Sequence, residues 1–255
     1  KNEAEAVLKL RDCAMNQGIA KAATQAIEVD VVLPLPEHGE VHLRGQVDRV
    51  QWFQADGVHG WRMIRAFPKA PDLKKASDLH FGDRLPMFIE WAALRLATLA
   101  QDEVPAVRLV VLADGSCELE ENILVWDEHF FAYPKHRKKM LDALRANLAQ
   151  LVRRWRQAQA EPPLYFPRTS QKALDALHSD KGLDPAKAAE DAFEPGFGGY
   201  MGERNDSDAM RFLARGVSFD PYVSRESADR LLEYAKELES LMTLVVPESE
   251  AEAKA

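Results

Sequence analysis

Two groups of residues in this chain carry chemistry worth weighing. The first is a carboxylate, Asp48, inside the run Gly45-Gln-Val-Asp-Arg-Val50. A strand-borne carboxylate joined by a second acid could hold a hard divalent cation through oxygen. Asp48 followed by Arg49 reads equally well as a solvated surface pair. The second group is basic: Lys135, Arg137, Lys138 and Lys139 near a helix start, with Arg153 and Arg154 further along. Cations oppose the positive end of a helix dipole, so the cluster hints at an anionic partner; a merely solvated face reads as well.

Other chemistries find no support in the residue spacing. Cys13 and Cys117 have no CxxC partner, and a sulfur-bound zinc or iron–sulfur site needs about four soft ligands. Two reduced thiols in an intracellular, cytoplasmic protein are the expectation. The seven His residues show no HExxH spacing. Pro195-Gly-Phe-Gly-Gly-Tyr-Met-Gly202 lacks a GxxxxGK[ST] pattern and a strong preceding strand, so it reads as a loop. No Gly-x-Ser-x-Gly elbow is present.

These groups must be positioned by elements that the hydrophobic pattern lays out. A helix is expected over about 3–27, then a strand from Ile27 to Leu33 stopped by Pro34 and Pro36. Glu40 to Phe53 and Val58 to Phe67 alternate apolar and polar residues around an Ala55-Asp56-Gly57 turn, giving a meander. Leu85, Phe88, Ile89, Ala92, Leu96 and Leu99 recur at helical spacing. A strand follows at 106–112, with a hairpin partner at 117–125. Pro134 opens the longest helix, striped by Leu141, Leu144, Leu148, Leu151, Val152 and Trp155, and Pro162-Pro163 breaks it. Leu164-Tyr-Phe166 is expected to form a short strand, and helices follow at about 169–178, 185–193, 206–215 and 224–243.

Charge follows this layout unevenly. The net charge is −8, yet residues 135–168 hold nine Lys and Arg against two acids, leaving −15 elsewhere. Such a chain is no general nucleic-acid coat, but its basic segment could dock a phosphate backbone locally. No apolar run is long enough to cross a membrane. The start at Lys1, without Met, is expected of a piece of a longer polypeptide.

The pair of segments Gly45–Val50 and Trp61–Arg65 resembles the nuclease domains of bacterial recombination helicase–nucleases, of the restriction-endonuclease-like superfamily. In that family one strand carries Gly-x-Ile/Val-Asp-Arg, and the next carries an acid, a spacer and Lys. A following helix carries Gln-x-x-x-Tyr. The two carboxylates hold a metal that lowers the pKa of bound water, and the Lys helps the nucleophile. Here Asp48 matches, Met63 falls on the second acid, and Arg65 falls on the Lys. Arg84 and Phe88 replace the Gln and Tyr. A thioether is a poor ligand for Mg²⁺, and Arg is a poor water activator. Arg65 is therefore expected to pair with Asp48 rather than to catalyse.

A closer resemblance is to the C-terminal domain of the RecC family, the gamma chains of exodeoxyribonuclease V. It rests on Val50-Gln-Trp-Phe-Gln-Ala-Asp-Gly-Val-His-Gly-Trp-Arg62, Tyr133-Pro134 with the Leu-striped helix, Pro163-Leu-Tyr-Phe-Pro167, and Ala189–Phe193 through Gly202 to Asp206. The resemblance implies an α/β fold of PD-(D/E)xK nuclease type: a mixed sheet with flanking helices and a helical C-terminal part. The implied layout is a nuclease-like core over 1–168, a helical extension over 169–247 and an acidic tail over 248–255. It further implies a domain without intrinsic catalysis that guides DNA, as a double-strand end or separated strand, and docks the RecB and RecD subunits. No cofactor is expected, Mg²⁺ belonging to the partner nuclease. Two rivals remain: an active nuclease whose second carboxylate has migrated to Glu90 or Asp83, and a protein-only interaction module using Phe193, Phe197 and Tyr200.

Overall fold

The computed structural model describes residues 2–16, 19, 23–35, 39–55, 57–67, 79–99, 105–113, 123–124, 126, 137–196 and 201–244. The chain divides into two compact units, Lys1–Leu79 with Pro86–Gln150 and Leu244–Ala255, and His80–Leu85 with Leu151–Thr243. The dividing point at 150/151 lies inside the long basic helix. Residues 151–168, expected from the sequence to belong to the nuclease-like core, thus group with the helical segment.

The first unit is a five-stranded mixed sheet with strands in chain order, β1 to β5. Strands β1 (Gln25–Leu35), β2 (Gly39–Ala55) and β3 (Val58–Phe67) form the expected antiparallel meander. Helix α1 (Asn2–Asn16) precedes it. That helix is shorter than expected, because Gln25 already pairs with Val50 and the chain is extended by then. After β3 comes α2 (Phe81–Ala97), then β4 (Ala106–Ala113), which lies parallel to β3. A parallel neighbour needs a crossover, and α2 is that crossover. The expected hairpin partner of β4 is brief: β5 (Ile123–Leu124) pairs with Leu109 and Val110, and Cys117 lies outside the described residues.

One face of the sheet buries Val110 and Leu112 with Leu10 of α1 and with Ile19; Ile64 and Ala14 pack at its margin. The other face buries Val50, Met63, Val107 and Leu109. Trp91 of α2 is fully buried and donates its indole N–H to the Val107 carbonyl at 2.8 Å. Phe88, also fully buried, stacks near Trp91 and Trp126 with centroids 5.7 Å apart in each case.

The second unit is helical. Helix α3 (Arg137–Ala160) contributes its residues from Leu151 onward, followed by α4 (Pro167–Leu177), α5 (Pro185–Phe193), α6 (Asp208–Leu213) and α7 (Arg225–Leu241). Leu164–Phe166 is not a strand: it is irregular chain ending at the N-cap of α4, and Pro167 opens that helix. An apolar triplet bounded by prolines suits a buried connector as well as a strand. Phe166, Phe193 and Phe219 meet edge to face, with centroids 4.8–6.0 Å apart, and form this unit's core. Among the described residues, no helix is long and apolar enough to cross a membrane.

Candidate functional site

Asp48 sits where the β2 backbone departs from regular pairing. The step from Gln25 to Ile27 on β1 faces the longer step from Val50 to Val47 on β2, so β2 holds one extra residue there. Val47 and Val50 both point inward and are buried, and the two residues between them, Asp48 and Arg49, are both exposed. Arg49 takes up the irregularity with φ +58°, the only positive-φ residue other than glycine among those described. This is a β-bulge with its extra residue in the left-handed region, a conformation that costs about 1–2 kcal/mol for an L-residue.

Across the sheet Met63 pairs with Val50 on one side and Leu109 on the other, and all three side chains are fully buried. Arg65 lies two residues further along the same face. Its Nη2 donates to Glu90 of α2 in an ion pair, and its Nη1 donates to the Ile64 carbonyl at 2.9 Å and the Asp48 carbonyl at 3.4 Å. The expected Asp48 pairing is therefore corrected. Arg65 reaches the backbone of Asp48, and its carboxylate partner is Glu90, because the bulge turns the Asp48 side chain outward. The donors at these positions are a carboxylate, a thioether and a guanidinium, a set that does not suit Mg²⁺. Among the described residues no three of His, Cys, Asp or Glu lie close enough to hold a metal ion.

On the opposite face, Gln51 is buried and donates through Nε2 to the Ile19 carbonyl at 2.8 Å, while its Oε1 accepts from Arg62 Nε at 3.0 Å. Burial pulls the Arg62 guanidinium below its ordinary pKa. Here the sequence pointed only to a Trp-Arg pattern; the amide that satisfies the arginine comes from the neighbouring strand, directly across from it.

The two helix positions of the pattern are structural. Phe88 belongs to the aromatic core just described. Arg84 is buried, lies over Phe81 at 5.2 Å, and donates through Nη2 to Glu239 of α7 at 3.3 Å. Asp83 stands exposed in the first turn of α2.

The basic positions fare differently from one another. Arg137, Lys138 and Lys139 occupy the first turn of α3 with no acid beside them in that turn. Lys138 and Lys139 are exposed, and Lys135 lies outside the described residues. Arg154 makes a two-pronged pair with Glu237 of α7, Nε to Oε1 at 2.7 Å and Nη2 to Oε2 at 2.5 Å. That guanidinium is held inside the helical unit. Arg153 is half-buried on the same helix. Of the aromatics weighed for a protein interface, Phe193 is core, and Phe197 and Tyr200 lie outside the described residues. The exposed aromatics of that region are instead Phe212 and Tyr222.

A residue with no local signal proved important. Glu203, buried, accepts from the Arg168 and Thr169 backbone N–H groups at 3.0 and 2.6 Å. It caps α4, whose own N-cap residue, Phe166, has no side chain able to do so.

A family model described as the RecC C-terminal domain matches residues 3–178. No curated protein and no solved structure matches the chain.

Proposed function

The chain belongs to the RecC C-terminal domain family, and we propose that it serves a helicase–nuclease as a non-catalytic domain that guides DNA and holds subunits together. Family membership carries a role in the RecBCD DNA-processing complex; the absence of catalysis, the DNA contact and the RecB and RecD partners are our reading.

The observation that carries it is the trio Met63, Arg65 and Glu90. In the nucleases this chain resembles, the position of Met63 holds a carboxylate facing metal and water; here it holds a thioether in a fully buried site. A cation that stays protonated stands at the lysine position, neutralised by the carboxylate nearest to it. The same pair weighs against a migrated active site, since Glu90 is already engaged. The order helix, three-stranded meander, helix, parallel strand supports the restriction-endonuclease-like reading. What survives is the sheet without the groups that would cut DNA.

The test is degradation of linear DNA by this chain in Mg²⁺ and in Mn²⁺, beside Asp48→Ala. Neither protein should degrade DNA above the buffer control. Cutting by the wild type that Asp48→Ala abolishes would make the chain an enzyme and overturn the proposal.

A further inference from the structure

On the sheet face that buries Met63, the β2–β3 hairpin continues into aromatic surface. Trp52 and Trp61 are cross-strand partners two residues beyond Val50 and Met63, and alternate residues share a face. Their rings meet edge to face at 4.9 Å and 77°. The next pair on that face is Gln54 and His59, and the His59 ring lies 5.8 Å from Trp52. Trp52 remains 49% exposed in a unit that buries Trp91 completely.

The composition of this face selects among occupants. None of these four positions carries an aliphatic side chain. In a chain with 41 Asp and Glu and a net charge of −8, they carry no carboxylate either. They offer indole and imidazole rings flanked by an amide, which can stack on a nucleobase and hydrogen-bond its edge. Aromatic faces bind unpaired bases with little sequence preference, and the backbone is held elsewhere by cations.

We propose that Trp52, backed by Trp61 and His59, is a stacking platform for an unpaired base of single-stranded DNA. The proposal rests on the DNA-guiding reading and adds the ligand and the residue. Because Trp52 is half exposed, Trp52→Ala should fold, and Trp52→Phe keeps a ring.

The experiment measures fluorescence anisotropy of labelled strands titrated with the full 255-residue chain. Three probes are used: oligothymidylate, a strand of equal length with abasic sugars, and a blunt duplex. Trp52→Ala should weaken oligothymidylate binding by about tenfold, and Trp52→Phe by less than about threefold. Wild type and Trp52→Ala should bind the abasic strand alike. Oligothymidylate should also quench tryptophan fluorescence of the wild type more than the abasic strand does. Unchanged oligothymidylate binding by Trp52→Ala, or an equal loss on the abasic strand, overturns the platform. If abasic or duplex DNA is still bound in that case, the DNA-guiding reading survives it. If no probe is bound, both fail together.

Discussion

Met63 concentrates the question of what this domain does into one side chain. It is fully buried between Val50 and Leu109, so its surroundings can be tested by charge. A carboxylate forced into that place would lose its hydration and meet no compensating donor. Met63→Asp should therefore cost about 3–5 kcal/mol, while Met63→Leu, nearly volume-conserving, should cost less than about 1.5 kcal/mol. Urea denaturation of the two variants reads the difference. If Met63→Asp proves as stable as Met63→Leu, the position is wet and able to hold an acid, and the case for a lost metal site collapses. The neighbouring Arg65–Glu90 pair illustrates why residue identity alone was an incomplete guide. The sequence pointed to Asp48 as the partner of Arg65, and the pairing with Glu90 instead follows from a bulge that turns the Asp48 side chain away.

At the scale of elements, the parts most legible in the sequence were those whose pattern had a single period. The alternation in 40–53 and 58–67 located β2 and β3 almost to the residue, and the Leu stripe located α3. The bulge between Val47 and Val50 was not read from that alternation, although two adjacent polar residues separate them. Where composition replaced period, legibility failed. A helix was expected to run to about residue 27, yet β1 begins at Gln25, because pairing with β2 outweighs weak propensity. The capping of α4 had no sequence signal, since Phe166 at the N-cap is apolar and the acceptor is Glu203, more than thirty residues away. Two backbone N–H groups, one buried and one partly buried, depend on that carboxylate. Glu203→Ala should then destabilise the helical unit by about 2–3 kcal/mol, and Glu203→Gln, which retains one acceptor oxygen, by less. Thermal unfolding followed by circular dichroism measures both. A change below about 0.5 kcal/mol for Glu203→Ala would mean that water caps the helix equally well. Glu203 lies beyond the matched segment 3–178 while α4 lies within it. The helix that ends the matched segment thus depends on sequence outside it.

Taken as a whole, the molecule carries net −8 but concentrates +7 in residues 135–168, and the two ends of α3 use that charge differently. Arg154 is engaged by Glu237, a pair within the helical unit, whereas Lys138 and Lys139 stand exposed in the first turn against the helix dipole. The two sets should separate in a salt titration of DNA binding. Each phosphate that a side chain ceases to neutralise lowers the slope of log K against log salt by roughly 0.7 on a single strand. Lys138→Glu with Lys139→Glu should lower that slope by about 1–2 and weaken binding to base-bearing and abasic strands alike. Arg154→Ala should leave the slope unchanged and instead lower stability by roughly 1 kcal/mol. The reverse pattern, with Arg154 setting the slope and the lysines silent, would place the phosphate-binding surface on the helical unit and show that its ion pair opens to bind DNA. Charge reversal at the lysines is also distinct from removal of the Trp52 ring. The first weakens binding through the backbone and is suppressed by salt; the second acts through the base and persists when salt is high. A double substitution whose effects multiply would indicate that one strand engages both places independently, as a domain that guides DNA without cutting it requires.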